Sequence, residues 1–538
     1  MLEFEHALTL LLLIAGLSVV ARWLPWPQPI TYLIGGGGAA LLPWFPRLVL
    51  DPGFFFLCFL PPLLFSDGWM MPLREFVRAR RAILILAIGL VAFTTLAVGF
   101  VAHWLVPGLP LALAFALGAV VSPTDAVAVN AITERLRVPA RLTTILNGES
   151  LMNDATGLVA FKFALGAAIA GAFSLRALAG EFAFLSAGGL AIGLVLGYAV
   201  GRLRDLLRHV QASDPLIETT LSLMTPYAAY LVADHLATSG ILAVVAAGLY
   251  SGWRDPVRMD AESRQSAFAV WAQLLYWLNG IAFVLLGLQF PSILRGVSGG
   301  YTWPQLLGFT AAVSGAAILA RLAWVYPGTY LPFLFRGVRR TETPATPAAV
   351  FVIGWAGMRG TVTLAAALSI PLTLSDGTPF PGRDLVIFLA FGVIVVTLLV
   401  QGSTLAWLIR RLHIPGDADR PKEELLARRT AVEAGLRTLR AMNDSATTLE
   451  MRASLDAVID EYDRRLAALI AQGETRAKAR HRRQAGHHYR SIALHAERQA
   501  LDDLWRSGAI IDEVHRPLQQ LLDHEESMLI GLAPEAEA

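Results

Sequence analysis

Two apolar stretches of the sequence carry oxygen-bearing side chains of the kind that bind a hard cation. The first stretch holds Thr124 and Asp125 directly after Pro123, in the middle of LALAFALGAVVSPTDAVAVNAI. The second contributes four polar residues at helical spacing, which are Glu149, Ser150, Asn153 and Asp154. Oxygen ligands without thiols favour a hard cation such as Na⁺. An ionised side chain near the centre of a bilayer costs roughly 2.5–3.5 kcal/mol, so acids inside apolar stretches indicate a function.

Pro123 predicts how the first group is positioned. Proline lacks a backbone N–H and disfavours helix at the preceding Ser122, so the helix should unwind at Thr124 and Asp125. Freed carbonyls would then face a carboxylate. Unwound backbone at membrane depth is tolerated only where it is buried or lines a watery cavity, and broken helices are where secondary transporters bind coupling ions.

The second group should form two polar stripes on one helix. Glu149 lies four residues before Asn153, and residues at that spacing share one side of a helix. Ser150 stands in the same relation to Asp154. Because burial favours the protonated form of a carboxyl group, a proton could compete with a cation at Asp154. The alternative is that this acid is buried only to pair with Lys162 or with an arginine.

Two arginines lie in later apolar stretches, Arg321 and Arg359. Either could be a counter-ion that neutralises a buried acid or the end of a broken helix, and the sequence leaves structural and functional roles equally open. Lys162 is predicted to have a structural role and not to be a ligand of the ion. Thr361 and Thr363 are predicted to form hydrogen bonds within the helix bundle.

The elements that must hold these residues are membrane helices. The 538 residues are 55% hydrophobic and 16% charged, whereas a soluble domain carries roughly 25% charged residues. Apolar stretches of membrane-spanning length predict an all-α membrane protein with about thirteen transmembrane helices. The candidate spans are residues 7–23, 28–45, 52–66, 82–106, 109–131, 142–171, 180–203, 216–234, 237–252, 267–290, 304–332, 347–371 and 384–410.

The arginines predict the orientation of these spans, because Lys and Arg accumulate in short cytoplasmic loops. With thirteen spans, the loops on one side carry seventeen arginines and the loops on the other side carry four. We therefore predict an amino terminus outside and a carboxy-terminal tail in the cytoplasm.

Composition also bears on other classes of function. The net charge of +2 predicts no nucleic-acid partner, and the lone Cys58 rules out an internal disulfide and a thiolate metal site. The sequence shows no nucleophile triad, phosphate-binding loop or metal-ligand motif. We predict neither an enzyme nor a resident cofactor, and the expected ligands are the transported ions.

The carboxy-terminal segment 412–538 is predicted to be a separate, charged, helical domain after a transmembrane domain of residues 1–411. An amphipathic helix is expected over 449–470, with further helices near 487–505 and 509–530. His481, His488 and His495 repeat every seven residues, which allows a pH sensor or zinc site, although a solvated helical face is the simpler interpretation.

Six segments in order resemble the signatures of bacterial sodium/proton antiporters of the monovalent cation:proton antiporter superfamily. They are LPPLLF, VVSPTDAVAV, NGESLMNDATGLVAF, ETTLSLMTPYAAYL, GMRGTVTLAAALSIP and LVQGSTLAWLIRRL, within residues 10–412. The resemblance implies a location in a bacterial inner membrane. It also implies a homodimer, an inverted repeat and two crossed discontinuous helices, the second around Gly354, Gly357 and Gly360. It also implies a mobile transport part, near residues 82–171 and 304–411, that moves as an elevator against a dimerisation scaffold.

The resemblance assigns roles to single residues as well. It implies cation coordination by Thr124, Ser150 and Asp154, with Asp125 nearby, and a supporting network of Glu149, Asn153, Arg321 and Arg359. An Asn-Asp pair at Asn153 and Asp154 is associated with electroneutral exchange. The family usually places an acid directly after LPPLLF, whereas here Ser66 intervenes before Asp67, which leaves the role of Asp67 open.

The sequence thus predicts exchange of Na⁺ for H⁺ by alternating access, for pH homeostasis. Alternatives are K⁺/H⁺ or Li⁺/H⁺ exchange, a channel-like subunit of a membrane complex, and a sensor that signals through its tail. Scarce intramembrane charge disfavours a channel, because a pore needs a continuous polar lining.

Overall fold

The protein is represented by a computed structural model of two compact units, Met1–Gly416 and Asp417–Ala538. The structure describes residues 2–24, 26–43, 45, 51–136, 138–170, 175–210, 214–297, 300–335, 338, 344–374, 378–414, 420–445 and 448–471, and scattered positions between 497 and 525. Among these residues the only β pairing is an isolated bridge between Thr373 and Pro379.

The first unit is built from α-helices. The amino-terminal half contains α1 (Leu2–Ala21), α2 (Gln28–Ala39), α3 (Pro52–Cys58), α4 (Leu60–Met70), α5 (Leu73–Leu84), α6 (Val91–Leu105), α7 (Leu111–Val121), α8 (Ala126–Leu136) and α9 (Ala140–Ala170). The remainder contains α10 (Leu175–His209), α11 (Pro215–His235), α12 (Gly240–Arg258), α13 (Ala261–Leu288), α14 (Phe290–Val297), α15 (Trp303–Tyr330), α16 (Pro347–Trp355), α17 (Thr361–Leu368) and α18 (Arg383–Arg411). A π-helical segment, Ile85–Leu90, joins α5 to α6, and a 3₁₀ turn, Leu331–Leu334, follows α15.

Each of the thirteen predicted spans coincides with one helix or with a consecutive pair of helices. Seven segments of the described chain are long and apolar enough to cross a membrane. They are Pro52–Met70, Leu73–Leu105, Leu111–Thr133, Gly180–His209, Ala261–Val297, Trp303–Leu334 and Arg383–Arg411. The all-helical membrane architecture is therefore confirmed, and the count of thirteen spans stays a prediction.

Two helices are interrupted where the sequence predicts it. Helix α7 ends at Val121 and α8 begins at Ala126, so Pro123 lies in the break. The second break separates α16 from α17 and contains Gly357 and Gly360. The two breaks touch, and a Cβ atom at Gly360 would overlap the Asp125 carboxylate. Glycine is therefore required at position 360, because any side chain there would collide with Asp125.

Helix α9 passes beside the first break without interruption. A Cβ atom at Gly157 would overlap the ring of Pro123, so the missing side chain lets the break approach the helix. Helix α4 packs against α12 in a similar way, because a Cβ atom on Gly252 would overlap the Trp69 carbonyl. These contacts fix the elements that surround the site.

The second unit contains α19 (Arg420–Asp444) and α20 (Leu449–Ala471), which pack as an antiparallel hairpin. Leu436 of α19 is buried, and a Cβ atom at the adjacent Gly435 would press on the ring of Tyr462 in α20. Arg440 donates two hydrogen bonds to Asp463, at 2.8 and 2.9 Å. The amphipathic helix expected over 449–470 thus packs on α19. The predicted helices near 487–505 and 509–530 and the three histidines lie wholly or largely outside the described residues.

Candidate ion-binding site

A cavity of about 450 Å³ lies beside the two helix breaks. Parts of α2, α4, α8, α9, α13 and α17 line it, together with the first break. The charged residues that line it are three aspartates, Asp67, Asp125 and Asp154. Neutral oxygen-bearing residues complete the polar lining, and they are Gln28, Thr124, Asn130, Ser150, Asn279, Thr361 and Thr363. Within the described part of the chain, the cavity therefore presents carboxylate and neutral oxygens and no positive side chain.

Ser150 holds the first break against α9. Its hydroxyl donates to the carbonyl of Thr124 at 2.5 Å and accepts from the N–H of Ala126 at 3.1 Å. The hydroxyl thereby supplies partners to backbone groups that the missing helical turn leaves unpaired. The N–H of Val127 donates to the Asp125 carboxylate at 2.8 Å, which places that acid at the start of α8, where the helix dipole favours negative charge.

Glu149 and Arg321 form an ion pair beside the cavity. Each is about 1% exposed. Two guanidinium nitrogens of Arg321 donate to the two Glu149 carboxylate oxygens, one of them at 2.7 Å. Arg321 also donates to the carbonyl of Ile353, at 2.9 and 3.1 Å. One arginine therefore both neutralises a buried acid and satisfies a carbonyl near the end of α16.

Asn153 and Thr124 connect this pair to the first break. The Asn153 amide donates to the Thr124 hydroxyl at 2.9 Å, and that hydroxyl lies 3.5 Å from a Glu149 carboxylate oxygen. The chain of contacts runs from Arg321 through Glu149 and Thr124 to Asn153. Three of the four residues predicted to form the supporting network, Glu149, Asn153 and Arg321, are thus close together in space.

Arg359 binds helix ends. Its Nε donates to the carbonyl of Val121, the last residue of α7, at 2.9 Å, and a terminal nitrogen donates to the carbonyl of Gly357. Its own backbone N–H donates to the Thr397 hydroxyl of α18 at 3.2 Å. A cation at the carbonyl end of a helix offsets the partial negative charge there. Of the two roles that the sequence left open for Arg359, the structure supports neutralisation of a broken helix.

Asp154 and Lys162 lie on the same helix in different surroundings. Asp154 is 8% exposed and lines the cavity, whereas Lys162, two turns further along α9, is exposed. The interpretation in which Asp154 is buried to pair with Lys162 therefore has no support in the structure.

In the described part of the chain, no three His, Cys, Asp or Glu side chains are grouped closely enough to hold a metal ion.

Sequence reasoning left Asp67 without a role, and the structure places it in the cavity. Asp67 lies one residue after the position at which the family usually has an acid, and its position on α4 still places it in the cavity lining. Thr361 and Thr363, predicted as bundle contacts, also line the cavity. The signal that could have found them is their position at the start of a helix that follows a glycine-rich break.

The chain is similar to known cation/proton antiporters along most of its length. The family described as sodium/hydrogen exchanger, transmembrane, matches residues 9–411. A sodium, potassium, lithium and rubidium/H⁺ antiporter of Bacillus subtilis is 37% identical, over 96% of this chain and 77% of that protein. The Na⁺/H⁺ exchanger YjcE of Escherichia coli, itself described as uncharacterised, is 35% identical over 98% of this chain and 99% of its own length.

Two further relatives connect sequence and fold. The Na⁺/H⁺ antiporter ApNhaP of Aphanothece halophytica is 32% identical, over 82% of this chain and 81% of its own. The solved structure of the sodium proton antiporter MjNhaP1 from Methanocaldococcus jannaschii at pH 8 superposes with a TM-score of 0.60. It is 21% identical, and the match covers 77% of this chain and 99% of that chain, which shows a shared fold.

The matches to the Bacillus and Escherichia proteins extend into the second unit, which the six sequence signatures did not reach. The resemblance seen in those signatures is confirmed over residues 9–411. The chain therefore belongs to the sodium/hydrogen exchanger family and is a multi-pass membrane protein.

Proposed function

We propose that this protein exchanges a monovalent cation for protons across a bacterial plasma membrane. The observation that carries the proposal is the cavity that Asp125 and Asp154 both line, beside a helix break. Glu149, the buried acid beside them, is already neutralised by Arg321. The remaining carboxylates are therefore the groups with charge available for an ion.

Asp154 is the proposed exchange residue. A carboxylate in a space of low dielectric is stable when it binds either a proton or a cation, and binding of one excludes the other. Asp154 would hold the cation with neutral oxygens from Ser150 and Thr124, which line the same cavity. Asp125 would contribute from nearby. A single carboxylate suits a monovalent ion and one proton, which favours electroneutral one-for-one exchange.

Alternating access is supported by a second cavity, of about 720 Å³, at the other end of α17. The first cavity reaches Gly360 and Thr363, and the second is lined by Leu368 and Ile370. Only the buried segment 364–367, about 6 Å of helix, separates them along α17. An ion at Asp154 would need only a short relative movement to change the cavity from which it is reached.

An apolar cluster lies around the separating segment. Phe55, Phe59, Leu278 and Ala282 pack with Ala365, and the two phenyl rings stack at 5.1 Å between centroids. Such a dry plug hinders ions and favours coupled exchange over a continuous pore. This cluster is the reason to prefer an antiporter to the channel-like alternative.

The first cavity reaches Gln28, at the start of α2, and Met70, at the end of α4. Both lie at the side that the arginine pattern predicts to be cytoplasmic. We therefore infer an inward-facing state.

The transport part would comprise residues 82–171 and 304–411, moving against a scaffold that forms a homodimer, as the family resemblance implies. Sodium is the first candidate cation, and the name of the Bacillus relative makes potassium and lithium real alternatives.

The test is proton movement in reconstituted vesicles with an imposed gradient of Na⁺, K⁺ or Li⁺. Asp154→Asn should abolish cation-dependent proton movement and leave the elution profile of the purified protein unchanged. Asp234→Asn, the same chemical change at an exposed position on α11, is the matched control and should retain exchange. Full exchange in Asp154→Asn would falsify the proposal. A current that follows voltage without proton movement would support the channel instead.

A further inference from the structure

An apolar cavity of about 410 Å³, distinct from the two cavities described above, lies between α5 and the end of α15. Nine of the residues that the structure describes line it, and Arg81 is the one charged residue among those nine. Trp324, Ile85 and Leu331 form much of the remaining wall. A cavity whose described lining is almost entirely apolar offers few partners to ordered water, so an apolar occupant fits it better.

The cavity faces the surface that meets lipid. Leu331 is 56% exposed and Phe335 72% exposed, although both line the cavity. On the α5 side, Leu84 and Ile88 are exposed as well. Large apolar side chains exposed on a membrane helix lie against acyl chains, which gives an acyl chain a direct route into the cavity.

Arg81 marks the level of the lipid headgroups. Residues 73–81 of α5 contain four arginines and one acid, and residues 82–102 that follow carry no charge. The bilayer boundary should therefore lie close to Arg81, whose guanidinium lies over the Phe333 ring at 5.3 Å from its centroid. A phosphate at this level would meet a positive side chain directly above an apolar cavity.

We propose that this cavity binds an anionic phospholipid, with its phosphate at Arg81 and an acyl chain against Trp324, Ile85 and Leu331. Charge complementarity selects an anionic over a zwitterionic headgroup, because the cytoplasmic leaflet and its juxtamembrane arginines attract each other. The choice of a lipid follows from the exposed apolar rim, which a water-soluble phosphate compound would leave uncovered.

The site lies close to the ion-binding network. The Trp324 indole donates to the carbonyl of Ile85, in the π-helical segment, at 3.2 Å. Trp324 stands one helical turn after Arg321, the partner of Glu149, and a Cβ atom at Gly148 would overlap Ile83 of α5. A bound lipid would therefore brace the same helices that position the ion site.

The experiment uses the full-length protein in detergent with phosphatidylglycerol that carries a diazirine near the end of one acyl chain. Irradiation should label Ile85, Trp324 and Leu331, and the same probe built on phosphatidylcholine should label them about fivefold less. Equal labelling by the two lipids would overturn the choice of an anionic headgroup. Labelling spread evenly over the lipid-facing helices would overturn the site.

Two matched pairs of variants separate the headgroup from the acyl chain. Arg81→Gln should lower retention of phosphatidylglycerol in native mass spectrometry about fivefold, whereas Arg78→Gln, one turn away with its side chain 81% exposed, should not. Leu331→Trp should fill the cavity and remove labelling of Ile85 for both lipids, and Leu334→Trp, outside the lining, should not. Equal losses within either pair would mean unspecific attraction to α5 or to the surface. Because the readouts measure lipid, their failure is distinguishable from failure of the proposed ion exchange.

Discussion

The backbone N–H of Asp125 donates a hydrogen bond to the carbonyl of Met358 at 2.8 Å, and this bond joins the two helix breaks. One break belongs to α7 and α8, the other to α16 and α17. The acid that follows Pro123 is thus held by a segment more than two hundred residues later in the chain. The ion site depends on this contact, because it sets where the Asp125 side chain begins.

The contact makes Gly360 sensitive to the smallest substitution. Gly360→Ala should place a methyl group within the Asp125 carboxylate, and we expect loss of exchange with a destabilisation of about 1–3 kcal/mol. Exchange in vesicles and thermal unfolding measure the two effects. Gly315→Ala on α15 is the control, since a Cβ atom there meets nothing within 4 Å. If Gly360→Ala exchanges ions at the normal rate, the breaks do not need this close approach.

The buried pair of Glu149 and Arg321 should behave as a unit. Arg321→Gln leaves an uncompensated buried carboxylate, which costs about 3–5 kcal/mol, so its unfolding temperature should fall strongly. The double variant Arg321→Gln with Glu149→Gln should recover part of this loss, because no charge is left unpaired. Thermal unfolding of the two single variants and the double variant forms a double-mutant cycle. Additive losses would show that the ion pair is not what stabilises this region.

Asp67 should affect cation affinity more than maximal rate. A unit charge within about 10 Å contributes about 1–2 kcal/mol at an effective dielectric constant near 20. Asp67→Asn should therefore raise the half-saturating cation concentration about tenfold while the maximal rate changes little. Initial rates over a series of Na⁺ concentrations give both quantities, with Asp234→Asn as the control. A loss of maximal rate at unchanged half-saturation would instead assign Asp67 to the moving step.

Transport should survive removal of the second unit. Residues 417–538 form a unit of their own, and the residues that line both ion cavities precede Gly416. A chain that stops after Gly416 should therefore exchange cations for protons in vesicles, and a changed dependence on pH or salt would indicate regulation by the tail. Complete loss of exchange in a truncated protein that remains soluble in detergent and elutes normally would favour the sensor alternative.

The sequence alone determined the features that depend on local chemistry. Pro123 predicted the first helix break because a proline removes a backbone donor wherever it stands. The long apolar stretches predicted the membrane helices, since their length must match the bilayer. The acids Asp125 and Asp154 were recognisable because charge is rare and costly inside such stretches.

Only the tertiary structure decided which partner each charged group has. Arg321 and Arg359 are the same residue type in similar apolar surroundings, yet one pairs with Glu149 and the other binds the carbonyl of Val121. Asp67 likewise enters the cavity because α4 packs on α12, across about 180 residues of chain. Partners so distant in sequence are selected by the packing of whole helices, and that packing leaves no periodic pattern in a single sequence.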